Sequence, residues 1–237
     1  MARLDRRTDL GALHVVGWRP EVMEAAAELA LRAAAEGRLG IGRVVLAGED
    51  AVLKCSPMHG KSAIRWGIKR CLVRARLPRV NEYYNLSWLT ERLFATPLPL
   101  AAGGIVRGGI PRWQFLVTRH VPDGAQLHDW LASGPSASER AAVLDEIARE
   151  VARMHALRFV HRDLWTRNLL VVPGGGLSRV VFLDAWAGGA GIGLRGTGHD
   201  LSCFDRDMRE LWSPDERETW FARYRAERRA QAARLER

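Results

Sequence analysis

The stretch His161-Arg162-Asp163-Leu164, with Asn168 five residues after the aspartate, constrains this chain more than any other. Sixteen residues beyond Asn168, Asp184 closes the apolar run Val180 to Leu183. Between them lie the β-branched run Leu169 to Val172 and the glycines Gly174, Gly175 and Gly176, which read as strand, turn and strand. Upstream, Ser138 to Ala156 reads as a helix capped by Ser136 or Ser138, with Val143, Ile147, Val151 and Met154 at core spacing. A helix, a polar loop and a short hairpin thus fix the intervals between two aspartates and an asparagine. His-Arg-Asp alone occurs by chance, and Arg-Asp pairs are usually solvated surface. Spacing and context together give the pattern its weight.

The pattern is similar to the catalytic loop of protein kinases, H-R-D-L-x-x-x-N followed by a metal-binding aspartate. The resemblance assigns each position a job in phosphoryl transfer. Asp163 would accept the proton of the attacking hydroxyl, Asn168 and Asp184 would hold Mg²⁺ against the phosphates of ATP, and Arg162 would brace the loop.

At 237 residues, 47% of them hydrophobic, the chain can bury one substantial core, and a single domain is expected. Strands and one key helix come first and a mainly helical half follows. The fold class is therefore α+β, a two-lobed kinase-like arrangement with an N-lobe over 1–118 and a C-lobe over 119–237. No apolar run reaches membrane-spanning length, and the charged N-terminus does not read as a signal peptide. Cys55, Cys71 and Cys203 form no C-x-x-C pair and read as reduced thiols of a cytoplasmic protein. With no His/Cys ligand cluster, zinc chemistry is excluded.

In the first half, Pro20 to Glu36 reads as a helix with proline in its first turn and Gly37 at its stop. A hairpin follows, turning at Gly48-Glu49-Asp50, and Lys54 stands on its second strand. That strand, Ala51 to Lys54, is similar to the V-A-I-K strand of kinases, whose lysine contacts nucleotide phosphates and pairs with a helix glutamate. Glu82 is the candidate partner, because Glu82, Leu86, Leu89 and Leu93 share one helical stripe and a buried carboxylate needs a cation. An acid near a helix N-terminus is the simpler alternative. Gly40 and Gly42 could bring backbone N–H groups to phosphate, or could be an ordinary turn; they do not form G-x-G-x-x-G. Arg119, His120 and Val121, leaving the strand Trp113 to Thr118, stand where a kinase hinge would meet adenine.

The net charge of +9 is uneven. From Ala51 to Asn81 there are eight Lys or Arg residues and no acid. Within the helical segment 57–79, Ile64, Ile68, Cys71, Leu72 and Ala75 fall on one face. A membrane-surface contact through Lys61, Arg65, Lys69, Arg70 and Arg74 is one reading; a solvated arginine-rich face is the other. Interleaved aromatics for base stacking are missing, so no nucleic-acid partner is expected.

Asp184 is followed by Ala185-Trp186 rather than Phe-Gly, no A-P-E follows, and Gly188 to Gly198 is short and glycine-rich. These departures argue against a protein-peptide acceptor. Asp200 could brace the catalytic loop or merely cap a helix. His155 reads as structural.

Together these residues resemble the lipopolysaccharide kinase family. The matching stretches are Ala51 to Lys54, Arg79 to Leu86, Thr96 to Leu100, Phe115 to Thr118, His161 to Asn168 and Leu183-Asp184. The resemblance implies ATP, Mg²⁺ and an anionic glycolipid or sugar acceptor, met by a monomer in the cytoplasm or on the inner membrane face. A small RIO-like protein serine/threonine kinase and a non-catalytic kinase-fold binding module are the alternatives. The second is weakened by the presence together of Lys54, Glu82, Asp163, Asn168 and Asp184.

Overall fold

The computed structural model describes residues 1–173, 179–191 and 196–235. The glycines Gly174 to Gly176 and part of the segment from Gly188 to Gly198 lie outside the described residues. The chain forms two compact units, one of Met1–Trp88 with Pro97–His120, the other of Leu89–Thr96 with Val121–Arg237.

The first unit is built on a six-stranded antiparallel sheet, order β1-β2-β5-β6-β4-β3, with β1 Ala2–Thr8, β2 Gly11–Gly17, β3 Gly40–Leu46, β4 Glu49–Pro57, β5 Pro99–Arg107 and β6 Ile110–Arg119. The first hairpin, β1–β2, was not legible from pattern. β1 alternates half-buried and exposed side chains without a fully buried one, because it is an edge strand. Helix α1, Pro20–Ala35, lies on the sheet through Val22, Met23, Ala26, Ala27, Ala30 and Ala33. Its small side chains admit close approach to Leu13, Val15, Leu53 and Phe115. Gly103 is needed where β5 passes β2, since a Cβ there would lie 2.1 Å from the His14 carbonyl oxygen.

Two helices follow β4. Helix α2, Gly60–Val73, buries Ala63 and Gly67 rather than the face that carries Ile64, Ile68 and Leu72. Ile64, Ile68 and Leu72 are exposed, at 52%, 53% and 78%. A helical period fits either face, and the smaller residues win because a Gly67 Cβ would already lie 3.4 Å from the Gly109 carbonyl oxygen. The helix stops at Arg74, left-handed with φ 51°, whose N–H donates to the Lys69 carbonyl. Pro78 then opens α3, Pro78–Glu91, rather than ending its predecessor. Tyr83, Leu86 and Leu89 are buried on α3.

The second unit is mainly helical, with α4 Leu127–Ala132, α5 Ala137–Ala156, α6 Thr197–Met208 and α7 Pro214–Leu235. Short strands β7 Ala125–Gln126, β9 Leu169–Val172 and β10 Arg179–Phe182 form one sheet; β8 Phe159–Val160 and β11 Gly189–Ala190 form another. Ser136 and Glu139 form a reciprocal capping box at the start of α5. The C-terminal α7 packs on α5: Arg140 meets Glu216 at 2.5 Å and Arg223 meets Asp145 at 2.8 Å. Phe204, Trp212, Trp220 and Tyr224 form an aromatic cluster beneath it, with Trp220 and Tyr224 stacked. Among the described residues, no helix is long and apolar enough to cross a membrane.

Candidate active site

In the first unit, β4 carries Lys54 and α3 carries Glu82, both turned inward. Lys54 Nζ lies 2.9 Å from Glu82 Oε1. Lys54 is 9% exposed and Glu82 is 0% exposed. A carboxylate so buried needs full compensation. It receives a second cation as well: Arg79, one turn earlier on α3, places Nη1 2.5 Å from Glu82 Oε2. The set therefore holds two cations on one anion. Arg79 was not anticipated, although its i,i+3 spacing to Glu82 was a usable signal.

The glycines that could approach phosphate stand on a strand rather than in a turn. Gly40 and Gly42 belong to strand β3, opposite Cys55 and Leu53. They form no loop there, because the β3–β4 register runs unbroken from Gly40 to Leu46. A Cβ on either would meet nothing within 4 Å. At the end of β6, the Arg119 N–H donates to the Leu98 carbonyl and the His120 N–H to the Asp50 carbonyl. Those two donors are thus engaged, and the Arg119 guanidinium is held by Glu49 at 2.7 Å. Val121 opens the second unit.

In the second unit the loop after β8 runs through His161, Arg162 and Asp163 into a single helical turn, Thr166–Asn168. Asn168 turns its amide back, donating from Nδ2 to the Asp163 carbonyl at 2.8 Å, and the Leu183 N–H donates to the Asn168 carbonyl at 2.8 Å. The side-chain oxygen of Asn168 is thereby oriented, and the strand leading to Asp184 is tied to it. Asp163 keeps a partly exposed carboxylate, with Arg167 Nη2 3.6 Å from Oδ1.

Asp200 holds this loop. It is fully buried; Oδ2 accepts from the His161 N–H at 2.7 Å and Oδ1 from the Arg162 N–H at 2.6 Å. Its Oδ2 also lies 3.1 Å from His155 Nε2, and His155 Nδ1 lies 2.8 Å from the Tyr224 hydroxyl. Gly196, not Asp200, stands at the N-cap of α6, so Asp200 braces and does not cap. The brace also corrects the role expected of Arg162. Its exposed guanidinium has no partner among the described residues; the loop is held through its backbone N–H instead. The anchoring matters because Arg162 adopts φ 64°, a left-handed conformation unfavourable for arginine. Asp184 is left-handed too, at φ 53°. A second acid on the same face of α6, Asp207, accepts from the Thr166 N–H at 2.7 Å and from its hydroxyl. Burial pushes the His161 imidazole below its usual pKa.

Asn168 and Asp184 offer hard oxygen donors, the chemistry Mg²⁺ takes. Among the described residues no group of three or more His, Cys, Asp or Glu could hold a metal by itself. Two protein donors suffice for an ion that keeps waters and phosphate oxygens in its shell.

An α+β chain with a lysine–glutamate pair in its sheet-bearing unit and an Asp-Asn-Asp loop in its helical one belongs to the kinase class of phosphotransferases. The model of the lipopolysaccharide kinase (Kdo/WaaP) family matches residues 66–224, and the chain belongs to that family. No curated protein matches it. Among solved structures it is similar to WaaP in complex with acyl carrier protein, at 18% identity and a TM-score of 0.58, over 89% of this chain and 88% of that one. The likeness supports the fold; the family match carries the activity, a kinase acting on the lipopolysaccharide core.

Proposed function

We propose that this kinase moves the γ-phosphate of ATP to a hydroxyl of a lipopolysaccharide core sugar or a closely related membrane glycolipid. The observation that carries the reading is the Asp163–Asn168 arrangement, in which the Asn168 amide is pinned to the backbone carbonyl of Asp163. Bound ATP and Mg²⁺ would supply the phosphoryl group and neutralise its charge in the transition state. Asn168 and Asp184 would hold the ion. Lys54 would contact the α- and β-phosphates, oriented by Glu82. Asp163 would accept the acceptor's proton as the new phosphate ester forms, with the Arg167 guanidinium 3.6 Å from its carboxylate. Gly40 and Gly42, with their open surroundings, and the carbonyls of Arg119 and His120 with the Val121 N–H remain the nucleotide-facing backbone of the proposal.

We place the enzyme in the cytoplasm as a monomer that touches the inner membrane face. The support is α2, where Ile64, Ile68 and Leu72 stand exposed beside Lys61, Arg65 and Lys69, as on an interfacial helix. Arg70 and Arg74 do not belong to that stripe.

The test is transfer of labelled γ-phosphate from Mg·ATP to purified lipopolysaccharide and, in parallel, to a generic protein. Label on lipopolysaccharide alone, lost in Asp163→Asn, supports the proposal. Label on protein alone overturns the acceptor, and full turnover by Asp163→Asn overturns the base.

A further inference from the structure

In the first unit, away from the Lys54–Glu82 pair, a cavity of about 470 Å³ opens between the outer hairpin and the α2–α3 connection. Arg3 of β1, Arg70 of α2, and Arg74 and Arg76 of the connection all line it, together with His14 of β2. No carboxylate is among the lining residues. Asp5, just beside it, is already engaged by Arg3 at 2.9 Å and His14 at 2.5 Å. Among the described residues, Arg70, Arg74 and Arg76 have no acidic partner. Four guanidiniums around one concavity repel one another, and a fold tolerates that where an anion completes the site.

The cavity is also pre-shaped. The Arg76 guanidinium stacks 3.7 Å from the centre of the Tyr84 ring, which fixes its fork. The left-handed Arg74, at φ 51°, ends α2 at the cavity's edge. Leu77 and Gly104 form a tight floor, since a Gly104 Cβ would lie 2.4 Å from Leu77 Cδ1. Burial and then repulsion from Arg3 lower the Arg70 pKa, as uncompensated charge requires. On α3, Val80 and Tyr84 line the cavity while Glu82 points to the opposite side, so the two sites share a helix but no residue.

We propose that this arginine cavity is a binding site for a phosphate-ester anion, separate from the nucleotide site. Guanidinium forks match phosphate oxygens bidentately, and the apolar floor accepts the body that carries the phosphate. The proposal does not depend on the acceptor assigned above.

The experiment is calorimetric titration of inorganic pyrophosphate into the full chain in magnesium-free buffer. The comparison is between the parent, Arg70→Gln/Arg74→Gln/Arg76→Gln and Lys54→Met. Saturable binding by the parent, weakened more than about ten-fold in the triple variant and unchanged in Lys54→Met, is the expected result. Equal binding by parent and triple variant, no saturable binding by the parent, or loss only in Lys54→Met would overturn it. Should the triple variant fail to fold, Arg74→Gln, at an exposed helix end, carries the same comparison. Vesicles of phosphatidylcholine with and without phosphatidic acid identify the source. Loss of both vesicle and pyrophosphate binding in the variant marks a lipid headgroup as the ligand, and loss of pyrophosphate binding alone marks a soluble phosphate ester.

Discussion

Among the described residues each unit buries one carboxylate completely, and the two are held by different means. Glu82 is met by two side-chain cations, Lys54 at 2.9 Å and Arg79 at 2.5 Å. Asp200 is met by two backbone N–H groups at 2.7 and 2.6 Å and by His155 at 3.1 Å. In the proposed reaction the cations that hold Glu82 would meet phosphate, which would make that arrangement a tool. The peptides that hold Asp200 have nothing further to offer, so that arrangement is a brace. The same buried charge thus gathers side-chain cations in one unit and holds backbone in the other.

The contrast predicts unequal damage. Asp200→Ala should be the most disruptive change, because it strips two buried N–H donors of their acceptor and releases the left-handed Arg162. A loss of about 3–5 kcal/mol in urea denaturation is expected, with activity lost alongside. A loss below about 1 kcal/mol would show that the loop holds itself. Glu82→Gln should act the other way round. Lys54 and Arg79 have side chains 11% and 23% exposed and can turn toward water, so the fold should largely survive. The turnover rate should instead fall by roughly a hundred-fold as Lys54 loses its orientation. Equal stability losses for the two variants, measured side by side, would erase the distinction between tool and brace.

The same distinction decides what could be read from the chain. Lys54 and Glu82 were legible because an inward stripe with an acid in it demands a cation, and an apolar strand ending in lysine supplied one. Asp163, Asn168 and Asp184 were singled out by spacing, and the structure adds the hydrogen bond that ties Asn168 to the Asp163 backbone. Asp200 was not distinguishable from a cap, since backbone N–H groups leave no trace in a sequence. Arg162 misled for the same reason: its peptide, not its side chain, is the part that matters. The first hairpin escaped because an edge strand carries half the usual apolar signal. Helix α2 was legible as a helix but not the side on which it packs, because a run with Ile64, Ile68 and Leu72 on one side and Ala63 and Gly67 on another fits either burial, and steric closeness to Gly109 chose the second.

His161 sharpens the comparison through pH. Its pKa lies below the ordinary 6.5 because of burial, so the folded protein keeps it neutral where the unfolded chain takes up a proton. The unfolded state therefore binds more protons below 6.5, and stability must fall as the pH drops through that value toward the folded pKa. The expected slope below pH 6.5 is at most about 1.4 kcal/mol per pH unit. His161→Phe, of similar shape to a ring already packed against Phe182, should flatten that slope while leaving the Glu82 network untouched. An unchanged slope would assign the acid sensitivity to other groups.

The smallest effect belongs to the outermost link of the brace. Tyr224 on α7 reaches His155 Nδ1 at 2.8 Å, and His155 in turn reaches Asp200. Tyr224→Phe keeps the stacking on Trp220 and removes only the hydroxyl, leaving His155 Nδ1 without a partner in a fully buried position. A loss of about 1 kcal/mol follows for one neutral hydrogen bond. If the tail helix contributes to the brace only by packing, Tyr224→Phe will be silent and Trp220→Ala will not. If the hydrogen-bond relay matters, combining Tyr224→Phe with Asp200→Asn will cost less than the sum of the two single changes, because the second has already broken the chain that the first shortens.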